Sequence, residues 1–116
     1  MSDAIKIHAA DTHPTVTYMV ENVVGCKWSL TVIGLVQRGI CRPGEMEHAT
    51  EGLSAKVLNE RLRKLVRFGI LHKHSYAEVP PRVEYALTEF GIRFTGILDA
   101  ISELDHSTRP TRPFKS

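Results

Sequence analysis

The stretch "SAKVLNERLRKLVRFGIL", Ser54 to Leu71, carries five basic residues against one acid and runs directly into "HKHSYAEVPPRVEYALTEFG", His72 to Gly91. In the first segment Val57, Leu58, Leu62, Leu65 and Val66 recur at helical spacing and form one apolar stripe. Lys56, Asn59 and Arg63 stand at i, i+3 and i+7, so they share a face away from that stripe, with Lys64 and Arg67 close by. Ser54 suits the N-cap, because its hydroxyl can accept from backbone N–H groups one turn on, and Phe68-Gly69 closes the helix. After Gly69 the apolar period drops to roughly two. "ILHKHSY" and "RVEYALT" then enclose "AEVPP", which predicts a strand, a turn and a strand.

Working outward, "RPGEMEHATEG" predicts a short helix separated from the basic helix by a turn at Gly52. Further upstream, "GCKWSLTVIGLVQRG" is apolar on all sides and stops at Gly39, as expected of a buried central helix with Trp28 in the core. From Pro14 to about Val24, the residues Val16, Met19, Val20, Val23 and Val24 fall at helical spacing, with Pro14 placed in the first turn. Downstream, Thr88 can cap a last helix running to about Leu104, with Phe90, Phe94, Ile97, Leu98, Ile101 and Leu104 on its apolar side. The whole is expected to be mainly α with a small β-ribbon, an α+β winged helix-turn-helix. Residues 13–104 make the single domain, between a flexible segment at 1–12 and a flexible tail at 105–116.

Charge sharpens this reading. The 116 residues carry a formal net charge of +2, but residues 1–52 hold four Lys/Arg and six Asp/Glu, while residues 53–116 hold eleven and seven. The first part is therefore at −2 and the second at +4, and a polyanion is the commonest partner of such a field. No long apolar run and no signal-peptide pattern occurs, so a soluble cytoplasmic protein without a membrane association is expected. Cys26 and Cys41 form no CxxC pair, and neither a disulfide framework nor a zinc cluster is readable. No G-x-S-x-G, P-loop, H-E-x-x-H or dinucleotide fingerprint is present, so no enzyme activity and no cofactor is expected.

The segments "KWSLTVIGLV", "GLSAKVLNERLRKLVRFGIL", "EVPPRVEYALTEFG" and "ILDAI" resemble, in order and at similar spacing, the HxlR-type bacterial transcription regulators of the broader MarR-like winged-helix group. The likeness covers roughly His13 to Leu104, and the wing taken together with "KW" is its most specific part. The resemblance implies double-stranded DNA as partner, with Ser54, Lys56, Val57 and Asn59 at the start of the recognition helix. Arg61, Arg63 and Lys64 would add contacts, and Pro81 and Arg82 would act at the wing. It also implies a homodimer built by the first and last helices, docking on a pseudo-palindromic operator in association with the nucleoid. The apolar excess of Val16, Met19, Val20, Val23, Phe94, Ile97, Leu98 and Ile101 agrees with a partner surface. A winged helix serving as a protein interaction module is the alternative, and no effector ligand is specified.

Several positions depart from the family pattern. His13-Pro14 stands where Cys-Pro is common, Pro43-Gly44 replaces Phe-Ser, and Glu47-His48 replaces a basic pair, so the short helix is unusually acidic. Cys26 beside Lys27 is either a redox-sensing thiol or an ordinary half-buried one. Arg61 and Lys64 either meet phosphates or pair on the helix surface with Glu60 and its neighbours. Arg82 is either a nucleic-acid contact or a plain turn arginine. His72 and His74 share a strand face and could supply two metal ligands, but no third is placed by the sequence.

Overall fold

The computed structural model describes residues 14–108. Helix α1 spans Val16–Val24, α2 Ser29–Gln37, α3 Pro43–Ala49 and α4 Ala55–Arg67. Strands β1 (Leu71–Tyr76) and β2 (Arg82–Leu87) follow, and α5 (Glu89–Thr108) ends the described chain. The expected order of elements and the winged helix-turn-helix architecture are both present.

Local chemistry sets most boundaries. Thr15, not Pro14, begins α1: its side chain accepts from the Tyr18 N–H at 3.1 Å, which places Pro14 before the cap and outside the first turn. Ser54 caps α4 in the same way, accepting from the Val57 N–H at 3.2 Å. Thr88 accepts from the Gly91 N–H at 2.8 Å and starts α5. That helix continues to Thr108, past the end expected near Leu104, because no proline interrupts it before Pro110. The four residues 105–108 are therefore helix rather than tail. Residues 1–12 and 109–116, expected to be flexible, lie outside the described residues.

The hairpin is antiparallel, with Leu71 opposite Leu87, His74 opposite Glu84 and Tyr76 opposite Arg82. Alternation puts His72, His74, Tyr76, Arg82 and Glu84 on one face and turns Leu71 and Tyr85 inward. The Tyr85 N–H donates to the Cys41 carbonyl at 2.9 Å, which fastens β2 to the turn before α3. Gly91 lets α5 pass against the hairpin base, since a Cβ there would collide with the Ile70 carbonyl.

The core is assembled from Val32, Ile33 and Leu35 of α2, Met46 of α3, and Leu58, Leu62 and Leu65 of α4, with Ile70, Leu71 and Phe94 closing it. Trp28 is half-buried against this cluster. It adopts φ +78 immediately before α2, and its ring lies beside Gly52, itself at φ +91 in the turn between α3 and α4. The indole thus braces the helix-turn-helix from the α2 side, consistent with the core role expected of it.

Met19, Val23, Phe94 and Leu98, expected at a dimer interface, are buried within the single chain at 6%, 0%, 1% and 9% exposure. The cause is simple: α1 and α5 each turn one apolar flank into the common core, and periodicity alone does not separate that flank from an outer one. Val20 is half-buried against the core. Val16, Ile97 and Ile101 remain outside, at 43%, 41% and 37% exposure.

Candidate nucleic-acid interface

Helix α4 buries Leu58, Leu62 and Leu65, so the opposite face must meet solvent or a partner. Lys56, Asn59, Arg63 and Arg67 are exposed there, with Glu60 among them. Ser54 is also exposed, although its hydroxyl is engaged in the cap, and Val57 is half-buried beside it. The helix therefore presents three cations and an amide on its outer side, from its first turn to its last.

Arg61 and Lys64 do not belong to that face. Arg61 Nε donates to the Lys27 carbonyl at 2.9 Å and its Nη1 stands 3.7 Å from Glu60 Oε1, while Lys64 Nζ donates to the Asn22 carbonyl at 3.2 Å. Both cations reach across to the junction of α1 and α2. Of the two alternatives for these residues, the structure favours intramolecular pairing. Their main acceptors are backbone carbonyls of another element, rather than the glutamates expected from helix spacing.

The wing begins one short turn after α4. Its tip, from Glu78 to Pro81, is exposed, and Val79 is fully so. Arg82 sits at the base of the tip as the first residue of β2. Its Nη2 lies 3.2 Å from Glu78 Oε2, and its guanidinium stacks over the Tyr76 ring at 4.0 Å. Helix α4 and the hairpin are electrostatic neighbours as well as sequence neighbours. Burial pushes the Tyr85 phenol up in pKa, and the Arg63 charge opposes it from across the gap.

A second cluster joins the wing to the helix-turn-helix. Glu84 Oε2 accepts from Arg42 Nε at 3.3 Å, and Glu84 Oε1 accepts from the Tyr76 hydroxyl at 3.1 Å. Burial raises the Glu84 carboxyl, but the bonds from Tyr76 and Arg42 and the charges of Arg82 and Arg42 outweigh it and hold the group below the usual carboxylate range. The Tyr76 phenol is raised in turn, first by its bond to Glu84. Sequence reasoning missed Arg42 altogether, since nothing local links it to an acid 42 positions away.

Cys26 is half-buried at the α1–α2 junction, near the Lys64 and Arg61 side chains. Burial raises its thiol, yet the Ser29 hydroxyl, Lys64 and the Arg61 charge together bring it below the ordinary cysteine value. The His72 and His74 rings are 6.4 Å apart, and His74 packs edge-on against Tyr76 at 4.3 Å. Among the described residues no group of three or more His, Cys, Asp or Glu is gathered as a metal site. No single described helix is long and apolar enough to cross a membrane.

An exposed cationic helix following a tight turn, with a hairpin beside it, is the geometry of a winged helix-turn-helix, and residues 23–112 match the family described as HxlR-like helix-turn-helix. The chain belongs to the HxlR-like helix-turn-helix family. Its relatives include an uncharacterised HTH-type transcriptional regulator of Synechocystis, 41% identical over 78 residues, 67% of this chain and 58% of that protein. YtcD of Bacillus subtilis, an uncharacterised regulator of the same type, is 34% identical over 79 residues, 68% of this chain and 63% of its own length. The chain thus spans less than two thirds of these relatives. YybR of the same organism is 34% identical over 88 residues, 76% of this chain and 70% of that protein. Among solved structures, a protein assigned to the MarR family from Enterococcus faecalis V583 superposes with a TM-score of 0.71 at 31% identity, covering 84% of this chain and 91% of that one. The oxidised redox regulator HypR gives 0.68 at 31%, covering 84% and 100%.

Proposed function

We propose that the protein is a sequence-specific transcriptional regulator that binds double-stranded DNA as a homodimer, with α4 in the major groove and the wing on the backbone or in the minor groove. The observation that carries this reading is the outer face of α4: Lys56, Asn59, Arg63 and Arg67 are exposed in one row opposite the buried leucines. Cations of this kind set register on phosphates, while Asn59 has the paired donor and acceptor that read adenine. The acidic α3 contributes little to phosphate grip, because Glu45 and Glu47 repel the backbone.

Val16, Ile97 and Ile101 supply the exposed apolar surface on which a second copy docks. A two-fold pair of recognition helices then meets two half-sites about one helical turn apart. A DNA-binding role of this kind places the protein with the nucleoid in the cytoplasm.

Selection of duplexes from a random-sequence pool tests the reading. Enrichment of an inverted repeat with half-sites at that spacing supports it. Failure to enrich any sequence contradicts it and favours a protein interaction module instead.

A further inference from the structure

We propose that Glu84 determines how strictly the protein discriminates among DNA sequences, by withholding Arg42 and Arg82 from indiscriminate contact with phosphate. This inference rests on the DNA-binding reading above.

Glu84 stands where three segments meet: the turn before α3, through Arg42; β1, through Tyr76; and the base of the wing tip, through Arg82. Its Oε2 accepts from Arg42 Nε at 3.3 Å and lies 3.8 Å from Arg82 Nε, and its Oε1 accepts from the Tyr76 hydroxyl at 3.1 Å. The Arg82 contact is too long for a hydrogen bond, and its buried Nε has no other acceptor among the described residues. Arg82 is therefore held by charge, by Glu78 at 3.2 Å and by the Tyr76 ring, rather than by a closed hydrogen-bond set.

Two arginines and two glutamates make this cluster neutral, although the Arg42 and Arg82 side chains remain 43% and 32% exposed. Ion pairs so open to water add little to stability. Their larger effect is on where positive charge is available. Phosphate contacts supply sequence-independent affinity, and every neutralised phosphate steepens the salt dependence by about 0.9 in log–log slope. With Glu84 ionised, both guanidiniums are compensated and fixed beside the wing, so binding depends on α4 finding its bases. With Glu84 neutralised, Arg42 loses its acceptor and is available to any duplex, and Arg82 keeps only Glu78 and the Tyr76 ring.

The test is an anisotropy titration across salt concentrations. It compares the unaltered protein, E84Q, E84M, E84D and the double variant R42A/E84Q, against an unselected random-sequence duplex pool and against a duplex the protein itself enriches. E84Q and E84M are two separate routes to neutralisation, so one failing to fold does not end the test; circular dichroism establishes which are folded. Tighter binding of the unselected pool, by about threefold to tenfold at low salt, is expected for both, with a slope steeper by about one to two and a smaller gap between the duplexes. E84D restores the unaltered behaviour, and R42A/E84Q loses most of the gain. A purely architectural role would weaken binding to both duplexes without steepening the slope. That result, or a gain that persists undiminished in R42A/E84Q, overturns the inference while leaving DNA binding intact. Absence of any duplex binding by the unaltered protein overturns the DNA reading and this inference with it.

Discussion

Lys64 Nζ, on the helix that carries the cationic face, donates instead to the carbonyl of Asn22 in the last turn of α1, at 3.2 Å. Carbonyls at a helix C-terminus lack intrahelical donors and carry the negative end of the dipole, so a lysine is well matched to that position. Arg61 makes the corresponding bond to Lys27. These two cations tie α4 to the junction of α1 and α2. Lys64→Met is therefore expected to lower unfolding free energy by about 1.5–3 kcal/mol, the range for a hydrogen bond made by a charged group. It should leave the salt slope of DNA binding unchanged. Urea denaturation and titration together check this, and unchanged stability with a shallower slope would make Lys64 a phosphate contact after all.

Asn59 is exposed on the first half of α4 and makes no hydrogen bond among the described residues that would occupy its amide. Asn59→Ala should relax preference at particular base pairs by about 1–3 kcal/mol, with little change at the others. Selection profiles of the two proteins measure it. A uniform loss across all positions would assign Asn59 to the backbone.

Burial separates the residues of α5 into two groups with different expected phenotypes. Ile97→Asp and Ile101→Asp place a charge on the exposed flank and should give folded monomers that no longer bind an enriched duplex. Phe94→Ala instead removes a side chain at 1% exposure and should cost about 3–5 kcal/mol of stability. Sedimentation and thermal melting distinguish the two, and an intact dimer in both aspartate variants would move the interface elsewhere.

Thiolate, not thiol, is alkylated, so a depressed thiol pKa shifts reactivity to lower pH. Burial raises the Cys26 value and the Ser29, Lys64 and Arg61 contributions more than reverse it. The iodoacetamide rate at Cys26 should rise with pH around a midpoint below that of an unstructured cysteine peptide. In Lys64→Met that midpoint should move up, since one cation and one hydrogen bond are gone. An identical profile in both proteins would remove Lys64 from the thiol's environment.

Periodicity made the helices and the hairpin legible, because burial on one flank of α4 and alternation in β2 leave direct traces in residue order. The caps at Ser54 and Thr88 were legible for the same local reason. Interactions between distant segments were not. Nothing near Arg61 or Lys64 in the chain announces the carbonyls of Lys27 and Asn22 as acceptors, and nothing near Glu84 announces Arg42. Likewise an apolar residue on α5 reads the same whether it is buried in the core, like Phe94, or exposed, like Ile97. The start of α1 moved two residues, from Pro14 to Val16, for a smaller reason: Thr15 brings the hydroxyl that caps the first turn.

The most direct measurement is the salt dependence of duplex binding by the unaltered protein and by Arg63→Ala, using an enriched and an unselected duplex. Arg63 is exposed at the centre of the cationic row and faces the wing side of α4. The expected result is a steep fall of affinity with salt for the unaltered protein. Arg63→Ala should bind both duplexes more weakly, with a slope shallower by about one. An unchanged slope with unchanged affinity for both duplexes would contradict a DNA-binding role for the outer face of α4.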